Sequence, residues 1–352
     1  MNRLFASFAA LLLAVAVSAQ QSSGPVASPA DLAKQEQQRA IQQPYNNAPV
    51  WKNARGAVEG YVSIPAPEAG VLIQDGGQNW RALRNGMFAT TAGWAIVLMM
   101  LLIGGFYAWR GTIQLHESPT GRMMDRFSLL ERMAHWGTAI TFSILAISGL
   151  IMAFGKALLI PVFGFTLFSW LAIICKNLHN FLGPLFIVSC VVTFITFVRD
   201  NVPKAVDLKW IASFGGLLSG KHVPSERFNA GEKLWFWGGL MLLGLVIGAS
   251  GLVLNFPNFG QTRATMQLAN LVHLAGSTLF ILGAMGHIYI GTIGMAGALD
   301  GMKTGQVDEA WAKEHHEIWY EQQIKAGNAG KSVKAASAGP SNRQTVAVGG
   351  DD

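Results

Sequence analysis

Four histidines are placed where they could carry chemistry. His135, His179, His273 and His287 each fall in or at the edge of a long apolar run. The other four, His116, His222, His315 and His316, stand in polar segments. An ionisable side chain at membrane depth is costly and is retained where it has a functional partner. His273 and His287 share one run, 14 residues apart. On a helix that spacing puts them on one face to within ~40° and ~21 Å apart along the axis. Neutral imidazoles facing each other across helices are what a six-coordinate haem iron needs.

The elements that must position these groups are membrane spans. Apolar runs of about the ~20 residues needed to cross a bilayer cover 88–109, 134–154, 180–197, 234–254 and 268–295. A further apolar patch at 158–174 contains Pro161, Gly164 and several aromatic residues, and reads as a loop lying at the interface. Charge settles the count at five. With the first span running inward, the inner segments 110–133, 198–233 and the tail after 296 hold most of the Lys and Arg, among them Arg110, Arg126, Arg132, Arg199, Arg227 and Lys233. The outer loops 155–178 and 255–267 hold only Lys156, Lys176 and Arg263, which is the positive-inside pattern.

That topology sorts the histidines by depth. His135 and His287 form an inner pair, and His179 and His273 an outer pair. Gly137, Gly149, Gly183, Gly276 and Gly283 lie near them, either to make room for a macrocycle or for close helix packing. Three readings stay open: two bis-histidine haems, a proton or ion pathway, and histidines that only pack. Matched depths favour the first. A pathway would be expected to carry carboxylates within the spans, and the spans have none. Zinc wants three or four ligands at one depth and is disfavoured.

Composition agrees with a polytopic membrane protein. Only 13% of the 352 residues are charged, 51% are hydrophobic, and the mean hydropathy is +0.33. The net charge of +6 needs no nucleic-acid partner, because inner-face Lys and Arg account for it. The two cysteines, Cys175 and Cys190, lie in no CxxC or CxxCH, which removes a Cys-ligated iron–sulfur cluster and covalent c-type haem. Residues 1–19 read as a signal peptide, with Arg3, an apolar core at 5–17 and a small-residue cleavage site at Val17-Ser18-Ala19. Residues 20–87 read as an exported segment with strand-like pieces at 60–64 and 70–74, and 326–352 as a disordered Gly/Ala/Ser-rich tail.

Local motifs narrow the family. They are Arg126-Phe127-Ser128-Leu129-Leu130-Glu131-Arg132-Met133-Ala134-His135-Trp136, Leu178-His179-Asn180-Phe181-Leu182-Gly183, Arg227-Phe228-Asn229-Ala230-Gly231-Glu232-Lys233, Val272-His273-Leu274-Ala275-Gly276, Gly286-His287-Ile288-Tyr289 and Trp311-Ala312-Lys313-Glu314-His315-His316. Over roughly 120–325 this run resembles the cytochrome b (gamma) subunit of membrane-bound respiratory formate dehydrogenase, in its extended bacterial form. The resemblance implies an all-α membrane protein: a four-helix dihaem cytochrome b bundle over 120–325, preceded by the extra helix at 88–109. It implies two haem b groups, on His135 with His287 and on His179 with His273. It implies a quinone pocket, for menaquinone or ubiquinone, at Asn229, Gly231 and His287. Its partners would be an iron–sulfur (beta) subunit and a molybdenum- or tungsten-containing catalytic (alpha) subunit, both outside an inner membrane. Formate would be oxidised there and not in this chain. Arg132 and Lys233 are candidates to meet haem propionates, or are ordinary inner-face charge. The cytochrome b subunit of a nickel–iron hydrogenase or thiosulfate reductase is the near alternative, and a haem-free anchor or transporter the distant one.

Overall fold

The structure, a computed structural model, describes residues 77–213, 215, 223–328 and 331–332, with isolated positions between 28 and 38. The expected signal peptide, the strand-like pieces at 60–64 and 70–74, and His222 lie outside the described residues. In chain order the elements are α1 (Gly77–Arg110), β1 (Arg122–Asp125), α2 (Leu129–Leu158), α3 (Ile160–Phe197), α4 (Ala205–Ala212), α5 (Ala230–Asn255), α6 (Arg263–Gly294), α7 (Asp300–Thr304), β2 (Gln306–Asp308), α8 (Glu309–His315), α9 (Glu317–Lys325) and β3 (Lys331–Ser332).

Five helices, α1, α2, α3, α5 and α6, are long and apolar enough to cross a membrane. The shortest has 26 residues, ~39 Å of helix against a hydrocarbon core of ~30 Å. Two helix starts follow from side chains that satisfy orphan backbone donors. Before α2 the Ser128 N–H donates to Glu131 Oε2 at 2.7 Å and the Glu131 N–H to Ser128 Oγ at 3.3 Å. Before α5 the Asn229 N–H donates to Glu232 Oε2 at 2.8 Å and the Glu232 N–H to Asn229 Oδ1 at 3.0 Å. Helix α5 contains a π-helical stretch, Trp235–Leu243.

The patch at 158–174 is not an interfacial loop. It opens α3, where a short helical turn from Ile160 is set off by a kink at Gly164 (φ 72°, ψ 174°) from the long helix that follows. Pro161 is tolerated there because a helix's first turn has no partner for its N–H anyway. The span count of five is unchanged, but His179 now sits in mid-helix and not at a helix start. The first helix also begins at Gly77, earlier than the expected 88.

The chain divides into two compact units. The first comprises residues up to 108, 136–195 and 235–288. Its helices meet over small residues, as expected where lipid offers no hydrophobic drive between helices. A Cβ on Gly248 would lie 3.1 Å from Ile187, and one on Gly276 2.9 Å from Ile247. Helix α1 docks on α6 through polar links. Arg84 Nε donates to Asn270 Oδ1 at 2.9 Å and Trp80 Nε1 to the Gln267 carbonyl at 3.1 Å.

The second unit comprises 109–135, 196–234 and 289 onward. Two candidate spans separate each of its segments from the next. The unit adds what an all-helical expectation omitted, a three-stranded antiparallel sheet of order β2-β1-β3. Its core is Met124, Val307, Trp311, Ala312 and Trp319. β3 falls in the segment expected to be a disordered tail; residues 333–352 lie outside the described residues.

Candidate haem site

The two histidines expected to form the outer pair come together within the first unit. The rings of His179 on α3 and His273 on α6 have centroids 6.1 Å apart and planes at 77°. A metal bonded at ~2 Å to one nitrogen of each imidazole would space the ring centres by about 6 Å. Each ring is held from a neighbouring helix by the same pair of residues. On α2, Ser148 Oγ lies 2.9 Å from His179 Nδ1, and a Cβ on Gly149 would lie 3.3 Å from His179 Cε1. On α5, Ser250 Oγ lies 3.2 Å from His273 Nδ1, and a Cβ on Gly251 would lie 3.2 Å from His273 Cε1. The Ile247 carbonyl accepts from His273 Nδ1 at 3.0 Å. With both Nδ1 atoms engaged, Nε2 is the nitrogen left for a metal. Among the described residues no group of three or more His, Cys, Asp or Glu is placed to hold a metal ion. Two axial imidazoles suit a haem iron, whose other four ligands come from its own macrocycle.

A phenylalanine layer lies beside this pair. Phe186 follows His179 by seven residues and Phe280 follows His273 by seven, ~10.5 Å along each helix. Phe280 packs on Phe142 at 4.8 Å and on Phe186 at 6.0 Å between centroids. Trp235, from the π-helical stretch of α5, joins it at 5.2 Å. The same indole stacks on His287, with centroids 5.5 Å apart and planes 17° from parallel. π-helical turns often mark functional positions.

The structure does not assemble the remaining site residues in one unit. His287 belongs to the first unit, whereas His135, Asn229 and Gly231 belong to the second. Asn229 caps α5, and a Cβ on Gly231 would meet the Trp210 ring at 2.7 Å. Lys233 is buried and pairs with Asp207 at 2.9 Å. Arg132 donates to the Lys303 carbonyl at 3.0 Å. Both basic groups thus have partners inside the second unit. The glycines divide: Gly149 faces an imidazole, Gly276 and Gly283 face Ile247 and Trp235, and around Gly137 and Gly183 a Cβ would find nothing within 4 Å.

Sequence reasoning missed Ser148, Ser250, Gly251 and Trp235. A signal for the first three was present. The tripeptide Ser-Gly-Leu occurs at 148–150 and again at 250–252, each time in the span preceding an outer histidine.

Residues 126–305 match the family model of prokaryotic cytochrome b561. The chain is also similar to the nitrate-inducible formate dehydrogenase cytochrome b556(Fdn) subunit of Escherichia coli K12. They are 29% identical over 211 residues, 58% of this chain and 94% of the relative. The cytochrome b556(fdo) formate dehydrogenase subunit of the same organism is 29% identical over 55% of this chain and 90% of its own length. A formate dehydrogenase cytochrome b556 subunit of Haemophilus influenzae is 25% identical over 55% and 80%. The matched residues hold four of the five membrane helices and all four span histidines: the chain belongs to the prokaryotic cytochrome b561 family and is a multi-pass membrane cytochrome b.

Proposed function

We propose that the chain is the membrane-anchoring dihaem cytochrome b subunit of a formate dehydrogenase, passing electrons from an iron–sulfur subunit outside the membrane to quinone within it. The observation that carries this reading is the His179–His273 pair, 6.1 Å apart between ring centroids and held from two further helices. A bis-imidazole haem b, when bound, supplies a one-electron carrier with no open coordination position. His179 and His273 would hold it, Gly149 and Gly251 let the rings sit close to the neighbouring helices, and the Phe142–Phe186–Phe280 layer would give it an apolar neighbour. A second haem on His135 and His287, and a quinone contact at Asn229, Gly231 and His287, rest on the depth pattern and the family resemblance. Quinone reduction would draw its protons from the inner side. Formate chemistry would belong to the molybdenum- or tungsten-containing partner that the family resemblance implies. In this reading residues 1–19 are a cleaved signal, 20–87 face the periplasm, and the second unit is cytoplasmic.

The test is a reduced-minus-oxidised spectrum of the purified full chain with a pyridine haemochrome assay. Two b-type haems per chain are expected, falling to one in His179→Ala and in His273→Ala. A well-folded preparation without b-type absorbance would overturn the reading and favour a haem-free anchor.

A further inference from the structure

Ser148 and Ser250 have a chemistry that helix packing alone does not require. Ser148 is 2% exposed and Ser250 7%. Each hydroxyl proton has a destination on its own helix: Ser148 Oγ donates to the Leu145 carbonyl at 3.1 Å, and Ser250 Oγ to the Val246 carbonyl at 2.7 Å. A hydroxyl that donates along its own backbone presents a lone pair to the imidazole, and Nδ1 then carries the proton. The Ile247 carbonyl beside His273 Nδ1 imposes the same tautomer independently. Nε2 is left with its lone pair on both rings, as axial ligation requires. The glycine after each serine lets the ring lie against that helix, since a Cβ there would already be at 3.2–3.3 Å from the imidazole.

We propose that Ser148 and Ser250 are positioning residues for the outer haem: two matched serine hydroxyls, one on each flanking helix, fix the tautomer and plane of His179 and His273 and set their donor strength toward iron. This rests on the assignment of His179 and His273 as axial ligands. A hydrogen bond from Nδ1–H raises the basicity of the ligating nitrogen and so favours the oxidised iron. A hydroxyl acceptor does so less than a carboxylate would, because it holds no charge. Removing both hydroxyls should move the outer potential upward.

The experiment compares wild type, Ser148→Ala/Ser250→Ala and His179→Ala, each as purified full chain. Haem content, the low-spin ferric EPR signals and a redox titration are read. His179→Ala identifies which signal and which midpoint are the outer ones. The double serine variant is expected to retain two haems, with the outer g values displaced and the outer midpoint raised. A tenfold change in the reduced-to-oxidised ratio at fixed potential, ~59 mV for one electron, is the scale to resolve. Unchanged g values and midpoint with two haems present would overturn the serine role while leaving the axial assignment standing. If His179→Ala keeps both haems, the axial assignment itself fails and takes the serine role with it. If the double variant loses its outer haem, Ser148→Thr/Ser250→Thr decides. Recovery of haem with the hydroxyl restored supports the proposal, and continued loss overturns it.

Discussion

His316 has 1% of its surface exposed, and its Nδ1 donates to the Glu226 carbonyl at 2.6 Å. Its ring lies 5.2 Å from Trp311, which also carries the Arg126 guanidinium on its face at 4.7 Å. Burial first, then the charge of Arg126, holds this imidazole well below its ordinary value of 6.5. The folded protein therefore keeps His316 neutral at pH values where an unfolded chain protonates it. Above 6.5 the group adds no pH dependence. As pH falls below 6.5 the unfolded state binds the extra proton, and stability is lost at up to ~1.4 kcal/mol per pH unit. Hydrogen exchange across 309–320 should accelerate between pH 7 and pH 5 beyond the intrinsic pH effect, and His316→Gln should remove that excess. Equal excess in both proteins would show that another group titrates. The sequence placed His315 and His316 in a polar segment, and both pack on Trp311. The burial of His316 was not legible, because it depends on the loop around Ser225, whose hydroxyl donates to the His315 carbonyl 90 positions away.

At the scale of elements, two helix starts carry a local signature that the reading of apolar runs passed over, and the strands carry none. Ser128 and Asn229, each followed three residues later by Glu, are local signatures that need no tertiary context. β1 and β2 have four and three residues, too short for an alternating pattern, and their pairing joins segments more than 180 residues apart. The piece that makes the pairing possible is Gly305. Its carbonyl accepts from the Arg126 and Phe127 N–H groups at 2.8 and 2.9 Å, its φ is 93°, and a Cβ there would lie 2.7 Å from the Phe127 carbonyl oxygen. Gly305→Ala meets both an unfavourable backbone region and a backbone atom that cannot move alone, at a combined cost of roughly 2–5 kcal/mol. Gly104→Ala is the matching control. It lies in α1, where an added methyl would meet nothing within 4 Å, and alanine is favoured over glycine in a helix by about 1 kcal/mol. Thermal unfolding should show a clearly lowered midpoint for Gly305→Ala and none for Gly104→Ala. Similar midpoints would mean that the Gly305 turn is not what holds β1 to β2.

For the whole molecule the property on which the proposed function turns is sidedness. Counting Lys and Arg assigned 110–133, 198–233 and the residues after 296 to one side, and the second unit is built from those stretches. What the count could not show is that they fold together, since that takes the buried Lys233–Asp207 pair and the sheet, both long-range features. The proposed direction of electron flow requires this unit to face the cytoplasm, where protons for quinone would be taken up. Lys209 on α4 and Asn258 between α5 and α6 are both exposed and lie on opposite sides of a single span. With Cys175 and Cys190 replaced by alanine, Lys209→Cys and Asn258→Cys give one reporter per side. In intact spheroplasts a membrane-impermeant maleimide should label Asn258→Cys and spare Lys209→Cys until the cells are lysed. The reverse pattern would turn the protein over and place quinone protonation on the outside, so that electron transfer would no longer charge the membrane. Labelling of both in intact cells would mean that α5 does not cross, which would remove Ser250 and Gly251 from the bundle and leave His273 without the helix that orients it.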